Sequence, residues 1–385
     1  MDAIIIGAGV LGTFHAYHLA QMGKKVVVLE KDPVPREATV RNFGQVVPSG
    51  FSVGRWHYYG RYSTNLYKEL QSKADVGIRN EGSLYIASDP SEMAVLEEMH
   101  ERFNAVDYES ELYTKEAVLR YSDRFQPDYV HGGLYFPQEV SADSRRMIKS
   151  VQDYLVANST IEFRYNTTVI DIETTNTGVN VHVAGGKSLK AEKAFVCTGR
   201  DFQILFPSLF RSANIEISKL QMMASCPVDF KLKGNILTGL TIRRYESFKS
   251  CNTYLQLDPD NAKKELTDKG IHILFKQRPD GTIVIGDSHA YADVNQGFDT
   301  GFDEVAKVNQ LIINETNQIL NVPNLEIKEY WSGFYAQMKG GEEIFEHDIE
   351  DKIHIITGIG GKGMTASAGY AKERIEKLYQ LQITE

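Results

Sequence analysis

The chain has 385 residues, a formal net charge of −9 and a hydrophobic fraction of 42%. This length predicts two or three globular domains with a core that needs no disulfides. The acidic balance argues against a nucleic-acid partner, because basic patches bind phosphate backbones. The three cysteines show no metal-ligand spacing and no apolar run reaches ~18 residues, so we expect no metal site, no membrane span and a cytoplasmic location.

The first thirty residues are typical of a dinucleotide-binding unit. A short apolar strand leads into a glycine turn, a helix follows, and a second strand ends on an acid, Glu30. In such a turn Gly7 allows the sharp bend, Gly9 lets the backbone approach a pyrophosphate, and Gly12 lets the helix pack closely on the strand. We therefore predict that residues 1–30 bind an adenine dinucleotide.

The two ends of this unit indicate which dinucleotide is bound. The N–H groups of Val10 and Leu11, at the helix start, favour the negative charge of a phosphate. Glu30, which Lys31 follows, can accept hydrogen bonds from ribose hydroxyls, and an acid at this position argues against a ribose with a 2′-phosphate. The sequence at this point favours FAD or NAD and disfavours NADP.

The remaining chain alternates helices and short strands. The apolar spacing predicts helices over residues 55–73, 90–105, 114–121, 142–157, 302–320 and 365–380. The β-rich middle is predicted to hold strands at 161–165, 168–174, 179–183, 191–196, 215–225, 236–243, 254–257, 271–276 and 282–286. The basic pair Arg243-Arg244 in this middle is interpreted as solvated surface.

A second glycine-rich helix start lies near the C terminus, at residues 358–365. Its N–H groups, together with the charge of Lys362, would form an anion site beside a large flat cofactor. A nicotinamide enzyme usually needs one such turn, so two turns favour FAD. An NAD-dependent dehydrogenase remains the alternative.

In their order along the chain, these motifs resemble those of the D-amino-acid oxidase-like FAD oxidoreductases, which include glycine oxidases, sarcosine oxidases and D-amino-acid dehydrogenases. The resemblance covers essentially the whole chain. Beyond the N-terminal fingerprint it rests on Arg41-Asn42-Phe43-Gly44, Tyr135-Phe136-Pro137, Thr198-Gly199, Trp331-Ser332-Gly333 and residues 358–365. The stretches Arg41–Gln45, Gly286-Asp287-Ser288-His289 and Gly363-Met364-Thr365 look most like a subgroup linked to phosphonate breakdown.

The resemblance implies an α/β fold with a Rossmann-like FAD-binding domain and a discontinuous α+β substrate domain built on a mixed or antiparallel sheet. The expected FAD-binding domain comprises residues 1–80, 140–213 and 328–385, and the substrate domain comprises 81–139 and 214–327. The FAD is expected to be non-covalent, because no cysteine lies in the C-terminal glycine segment, where monomeric sarcosine oxidase carries its flavin-linking cysteine.

The same resemblance assigns the cofactor contacts residue by residue. The N-terminal fingerprint would hold the ADP half, the 41–45 loop and the C-terminal glycine segment the flavin side, and Val169 the adenine. The implied FAD-binding residues are Gly7, Gly9, Val10, Leu11, Gly12, Glu30, Lys31, Arg41, Asn42, Gly44, Gln45, Val169, Thr198, Gly199, Gly360, Gly361, Lys362, Gly363, Met364 and Thr365.

Enzymes of this family oxidise a C–N bond by hydride transfer to flavin N5. The resemblance therefore implies a small primary or secondary amine with an anionic group, either an amino acid or an aminophosphonate, and reoxidation by O2 or an electron carrier. His289, Tyr335 and Lys362 are the predicted catalytic residues.

One position departs from the family pattern. Tyr335 stands where glycine and sarcosine oxidases carry an arginine that binds the substrate carboxylate. An α-amino acid bound in that way is therefore not expected, and a non-catalytic flavin-binding subunit of a larger complex remains an alternative. The candidate anion-binding residues are His289, Lys339, Lys276 and Arg278.

Overall fold

The computed structural model describes residues 1–257, 263–294 and 300–380. The described strands are β1 (Ala3–Ile6), β2 (Val26–Leu29), β3 (Gln45–Val46), β4 (Ile78–Arg79), β5 (Ser83–Ala87), β6 (Glu111–Thr114), β7 (Gly132–Phe136), β8 (Val140–Ala142), β9 (Glu162–Arg164), β10 (Val169–Thr175), β11 (Gly178–Val183), β12 (Lys187–Ala191), β13 (Lys193–Val196), β14 (Ile215–Ser225), β15 (Asn235–Leu237), β16 (Leu274–Gln277), β17 (Ile283–Gly286), β18 (Ala290–Asp293), β19 (Ile327–Met338), β20 (Phe345–Ile349) and β21 (Ile353–Thr357).

The helices alternate with these strands. They are α1 (Val10–Gln21), α2 (Ala38–Arg41), α3 (Arg55–Lys73), α4 (Pro90–Asn104), α5 (Lys115–Tyr121), α6 (Met147–Asn158), α7 (Pro207–Ser212), α8 (Gly239–Ile242), α9 (Glu246–Lys249), α10 (Lys264–Asp268), α11 (Ala306–Ile319) and α12 (Gly363–Leu378). Within the described ranges, no helix combines the length and the apolar character needed to cross a membrane.

The N-terminal unit forms a six-stranded sheet in the order β20-β21-β13-β1-β2-β9, in which only β20 runs antiparallel to its neighbour. The side chains of β1 alternate between the two faces of this sheet. Ala3 and Ile5 pack in the core with helices α1, α3, α6 and α12, whereas Ile4 and Ile6 pack in the core with β10, β11 and β12. Because both faces are covered, β1 is a continuous apolar run.

The β-rich middle forms the second, nine-stranded sheet. Its order is β18-β14-β17-β16-β15-β5-β7-β6, and β19 pairs with the other edge of β14. The β15–β5 pair is parallel and the other pairs are antiparallel. The predicted α/β fold with a mixed sheet is therefore confirmed. β19 crosses the predicted domain boundary at residue 328, and the domain division itself remains a prediction.

Several predicted elements differ from the observed ones, and three of them bear on the site. The strand predicted over 236–243 ends at Leu237, and Gly239–Ile242 forms α8 instead. The strand predicted at 254–257 is a 3-10 turn, Thr253–Gln256. The helix predicted over 142–157 begins only at Met147, because Val140–Ala142 is β8, which pairs with β3 and β4. In the last case strand pairing outweighs local propensity.

Candidate active site

A cavity of about 830 Å³ lies where the two large sheets meet. Residues at or after the carboxyl ends of β1, β2, β13 and β21 line one end, and side chains of β14, β16 and β19 line the other. Ligands of open α/β sheets bind outside the carboxyl ends of the strands. The volume lies within the range of small-molecule and cofactor sites, about 300–1,000 Å³.

Glycine is needed at the three fingerprint positions for different structural reasons. Gly7 has φ +102°, and a Cβ there would lie 2.4 Å from the Cys197 carbonyl oxygen. A Cβ on Gly12 would lie 1.9 Å from the Gly7 carbonyl oxygen. Chain packing thus requires glycine at both positions. At Gly9, by contrast, the nearest atom to a Cβ is the Thr39 hydroxyl at 3.1 Å, and Gly9 lines the cavity.

Glu30 is buried at the end of β2, with 8% of its surface exposed. One carboxylate oxygen accepts a 2.9 Å hydrogen bond from the Ala8 N–H, and the other accepts a 3.1 Å hydrogen bond from the Asp32 N–H. Burial raises the pKa of Glu30 despite these hydrogen bonds. Its carboxylate therefore joins the glycine turn to the loop after β2, at the wall of the cavity.

The loop before β3 presents a buried amide to the cavity. The Asn42 amide holds the loop in shape, since its oxygen accepts from the Gly44 N–H at 2.7 Å and its nitrogen donates to the Thr39 carbonyl at 2.7 Å. Gln45 follows and is 7% exposed. Among the described residues, neither the amide nitrogen nor the amide oxygen of Gln45 has a hydrogen-bond partner.

The C-terminal glycine segment forms the part of the cavity wall beside the N-terminal turn, since a Cβ on Gly363 would lie 3.8 Å from a Val10 methyl group. Gly360–Lys362 is a 3-10 turn that leads directly into α12. The Lys362 ammonium lies 4.9 Å from the centre of the Trp56 ring, and burial lowers the pKa of Lys362. Thr365, one turn into the helix, accepts a hydrogen bond from the Val47 N–H at 3.3 Å.

Tyr335 and His289 meet at the other end of the cavity. The Tyr335 hydroxyl lies 3.1 Å from His289 Nε2, and His289 Nδ1 lies 3.2 Å from the Gly270 carbonyl oxygen. Only 7% of the His289 side chain is exposed, and burial lowers the pKa of His289 to about 3. The imidazole is therefore neutral at physiological pH.

His272 and Asp287 lie behind this pair because β16 and β17 run antiparallel. The backbones of the two residues exchange hydrogen bonds of 3.0 and 2.8 Å, and His272 Nε2 lies 2.8 Å from Asp287 Oδ1. Burial opposes the ionisation of Asp287, but the two histidines outweigh it and hold the pKa of Asp287 below its usual value. His289 uses both ring nitrogens in hydrogen bonds to Gly270 and Tyr335. The buried Asp287 Oδ1 has no hydrogen-bond partner among the described residues and lies 2.8 Å from His272 Nε2 and 3.8 Å from His289 Nδ1.

The two neighbouring arginines after α8 have different partners. Arg243 binds the carboxylates of Asp89 and Glu92 at 2.7 and 2.6 Å. Arg244 lines the cavity and donates a 2.8 Å hydrogen bond to the Tyr291 hydroxyl. Burial opposes its charge, but Tyr291 and then Asp287 outweigh burial and raise the pKa of Arg244. The interpretation of Arg243-Arg244 as solvated surface was wrong for both residues.

Most of the predicted site residues line this one cavity. The predicted contacts outside its lining are Gly12, which packs behind the turn, and Arg41, whose guanidinium donates to the Ser332 carbonyl at 3.2 Å. Three candidate anion-binding residues also lie outside the lining, namely Lys276, Arg278 and Lys339. Lys276 donates to the Ala142 carbonyl, Arg278 pairs with Glu329 at 3.4 Å, and Lys339 pairs with Asp293.

Arg244, His272 and Asp287 are among the cavity residues that were not predicted as site residues. Asp287 belongs to the Gly286-Asp287-Ser288-His289 stretch, so the sequence contained a signal for it. Arg244 and His272 reach the site only through the pairing of the large sheet, which the local sequence does not reveal.

Comparison with known proteins identifies the class. The profile of the FAD dependent oxidoreductase family matches residues 2–376, and the chain belongs to that family. It is 23% identical over 369 residues to a glycine oxidase of Bacillus licheniformis, covering 93% of this chain and 87% of that protein. It is also 23% identical over 360 residues to an opine oxidase subunit of Rhizobium meliloti, covering 90% and 85%. The predicted family resemblance is confirmed, and an NAD-dependent dehydrogenase is the wrong class.

Solved structures share the fold at low identity. Glycine oxidase from Geobacillus kaustophilus has a TM-score of 0.77 at 16% identity, covering 100% of this chain and 95% of that one. L-proline dehydrogenase from P. horikoshii has a TM-score of 0.79 at 16% identity, covering 98% and 93%. Iminodiacetate oxidase from Chelativorans sp. BNC1 has a TM-score of 0.74 at 17% identity, covering 100% and 96%.

The cavity fits the FAD that the family uses. Gly9 leaves the wall of the cavity open at the helix start, where N–H groups favour a pyrophosphate. The unpartnered Gln45 amide can both donate and accept, as the polar edge of a flavin ring requires. A buried polar group without a partner is costly, which supports a ligand at this position.

Proposed function

We propose that this FAD-dependent oxidoreductase oxidises the C–N bond of a small primary or secondary amine that carries an anionic group. One observation carries the proposal: a single cavity joins the two glycine segments to a polar end that holds the Arg244 guanidinium, Tyr335 and His289. A zwitterionic substrate needs one cationic group and hydrogen-bond acceptors close together. Glycine and iminodiacetate, which the names of two relatives specify, are amines of this kind.

The FAD contacts in this proposal are those that the resemblance implies, except for Gly12 and Arg41, which lie outside the lining. The turn at Gly9 would hold the pyrophosphate, Glu30 the ribose, and residues 360–365 the flavin side. When bound, FAD supplies the acceptor for the hydride that leaves the carbon bonded to the amine nitrogen. The Lys362 charge, at the N-cap of α12, would favour negative charge on the flavin side of the cavity. We expect the FAD to be non-covalent.

Within this substrate class, an aminophosphonate is the finer proposal. Tyr335 cannot neutralise a carboxylate at the place where the resemblance puts an arginine. Arg244 supplies a cation on a different element, the segment after α8. Because the cation lies on a different element from Tyr335, a substrate with its anion farther from the amine than in glycine suits this site. Reoxidation would use O2 or an electron carrier.

The test is an absorbance spectrum of the purified protein, followed by anaerobic addition of amines. The panel contains 2-aminoethylphosphonate, its N-methyl form, glycine, sarcosine and D-alanine. Ethanolamine, which lacks the anion, and ethylphosphonate, which lacks the amine, are the matched controls. We expect a yellow protein that one of the anionic amines bleaches and that neither control bleaches.

The similarity to an opine oxidase subunit favours one second candidate, a flavin-binding component of a larger complex. That candidate predicts a yellow protein that no amine in the panel bleaches. Bleaching of the isolated chain by an anionic amine would contradict it.

A further inference from the structure

The hydrogen-bond direction at His289 follows from its carbonyl partner. A carbonyl oxygen only accepts, so His289 Nδ1, 3.2 Å from the Gly270 oxygen, carries the ring hydrogen. In a neutral imidazole the other nitrogen is then an acceptor. The Tyr335 hydroxyl, 3.1 Å from Nε2, is therefore the donor of that hydrogen bond.

Tyr335 consequently presents an acceptor, not a donor, to the cavity. A phenol oxygen has two acceptor positions once its hydrogen is committed. Ser218, opposite Tyr335 on the neighbouring strand β14, has a buried hydroxyl with no hydrogen-bond partner among the described residues, so at least one of these acceptor positions is left for a donor in the cavity. The oxygen lies against the C-terminal glycine segment, since a Cβ on Gly361 would be 3.4 Å from it.

Arg244 is the complementary donor at the same end. Its hydrogen bond to Tyr291 uses one N–H of a guanidinium that carries five. Tyr291 stacks on His289, with ring centres 6.2 Å apart, so the same row of rings supports Arg244 and Tyr335. The Asp287 carboxylate near this row lies 2.8 Å from His272 Nε2.

We infer that this chain recognises its substrate with two separate groups: Tyr335 accepts a hydrogen bond from the substrate amine, and Arg244, held by Tyr291, binds the substrate oxyanion. Position 335, where glycine and sarcosine oxidases carry a carboxylate-binding arginine, thus becomes an amine contact in this chain. This inference rests on the proposed function and specifies which side chain of the substrate end binds the amine and which binds the oxyanion. The oxyanion is a carboxylate or a phosphonate, which share the geometry that a guanidinium binds.

The test uses the flavin-loaded protein and probes that each carry half of the substrate. Ethylamine is the amine probe, and propionate and ethylphosphonate are the carboxylate and phosphonate probes. Dissociation constants are measured by calorimetry for the wild type, Arg244→Met, Arg244→Lys and Tyr335→Phe. FAD content and circular dichroism establish that each variant is folded and loaded before it is compared.

Substitutions at the two positions should weaken the binding of different probes. Arg244→Met should weaken binding of the preferred anion probe by about 10- to 100-fold, the range for a charged hydrogen bond, and leave ethylamine within about twofold. Tyr335→Phe should weaken ethylamine binding and leave the anion probes unchanged. Arg244→Lys should recover part of the anion affinity, which would not follow if Arg244 were only structural.

Matched substitutions outside the cavity are the controls. Tyr330→Phe removes an exposed hydroxyl from the same strand as Tyr335, and Arg120→Met removes an exposed charge from α5. Both should bind all probes as the wild type does. If Tyr335→Phe weakens the anion probes as much as Arg244→Met, or if the wild type binds no probe, the inference is overturned. Failure of the proposed function is distinct, because it would appear as a wild-type flavin that no amine bleaches.

Discussion

The two ends of the cavity are built in different ways. The cofactor end is assembled from short segments at strand ends, with Gly7, Gly9 and Glu30 within thirty residues of one another. The substrate end brings together Arg244, His289 and Tyr335 from three separate elements of the large sheet region. A local motif therefore defines the chemistry of the first end, whereas tertiary pairing defines that of the second. This difference predicts that substitutions at one end leave the other end intact.

The largest expected effect is at Gly9. Gly9→Val should yield a folded protein without FAD, because the added side chain would occupy the wall where a pyrophosphate must approach and meets only the Thr39 hydroxyl from the chain itself. FAD content per chain after gel filtration is the measurement. Full FAD occupancy in this variant would contradict the assignment of the cofactor end.

Gly12→Val is the control for that experiment. Its Cβ would meet the Gly7 carbonyl oxygen at 1.9 Å, so we expect it to lose folded protein as well as flavin. A folded, flavin-free Gly12→Val protein would show that the two glycines do not have the separate roles that the structure gives them.

A smaller effect is expected at Asp287, behind the substrate end. Asp287→Asn replaces a buried carboxylate that His272 contacts at 2.8 Å. Asparagine keeps an acceptor oxygen but removes the charge next to His272, so the free energy of unfolding should fall by about 1 kcal/mol while FAD content stays at the wild-type level. Urea unfolding and flavin content measure the two quantities separately. Loss of FAD in a stable Asp287→Asn protein would contradict the independence of the two ends of the cavity.

The last effect is a pH dependence and concerns Lys276, which lies outside the cavity lining beside Gly44. Its side chain is 4% exposed, its ammonium donates to the Ala142 carbonyl, and burial lowers the pKa of Lys276 to about 7. The unfolded chain therefore binds a proton between pH 7 and the ordinary lysine pKa while the native protein does not. Over that window the contribution of Lys276 to the free energy of unfolding rises with pH, by up to about 1.4 kcal/mol per pH unit.

Lys276→Met should remove this rise, so the variant gains less stability than the wild type between pH 7 and 10. Lys187→Met, at an exposed lysine of β12, is the matched control and should keep the wild-type slope. The measurement is urea unfolding at several pH values. Equal slopes for wild type and Lys276→Met would contradict the buried, neutral state of this lysine above pH 7.

The sequence predicts the parts of the fold that local patterns specify. The helices Arg55–Lys73 and Pro90–Asn104 lie within one residue of their predicted bounds, and the N-terminal fingerprint forms the predicted strand, turn and helix. The strand predicted over 236–243 was wrong because its apolar residues suit either state, and burial of Gly239 against Glu92 favours a helical turn.

The substrate end was not fully predicted because a pair of basic residues is usually solvated surface. Here the turn after α8 places Arg243 on Asp89 and Glu92 and Arg244 in the cavity. Lys276 and Lys339 were reasonable candidates by position. Strand pairing places both outside the cavity lining, and neighbouring elements provide their partners.

A crystal structure of the flavin-loaded protein tests the assignment of the two ends most directly. We expect the pyrophosphate against Gly9, the flavin ring beside Gly361, and the reactive edge of the ring facing the space between Tyr335 and Arg244. A flavin ring in another part of the molecule, or one that turns its reactive edge away from Tyr335, would contradict the assignment of the two ends.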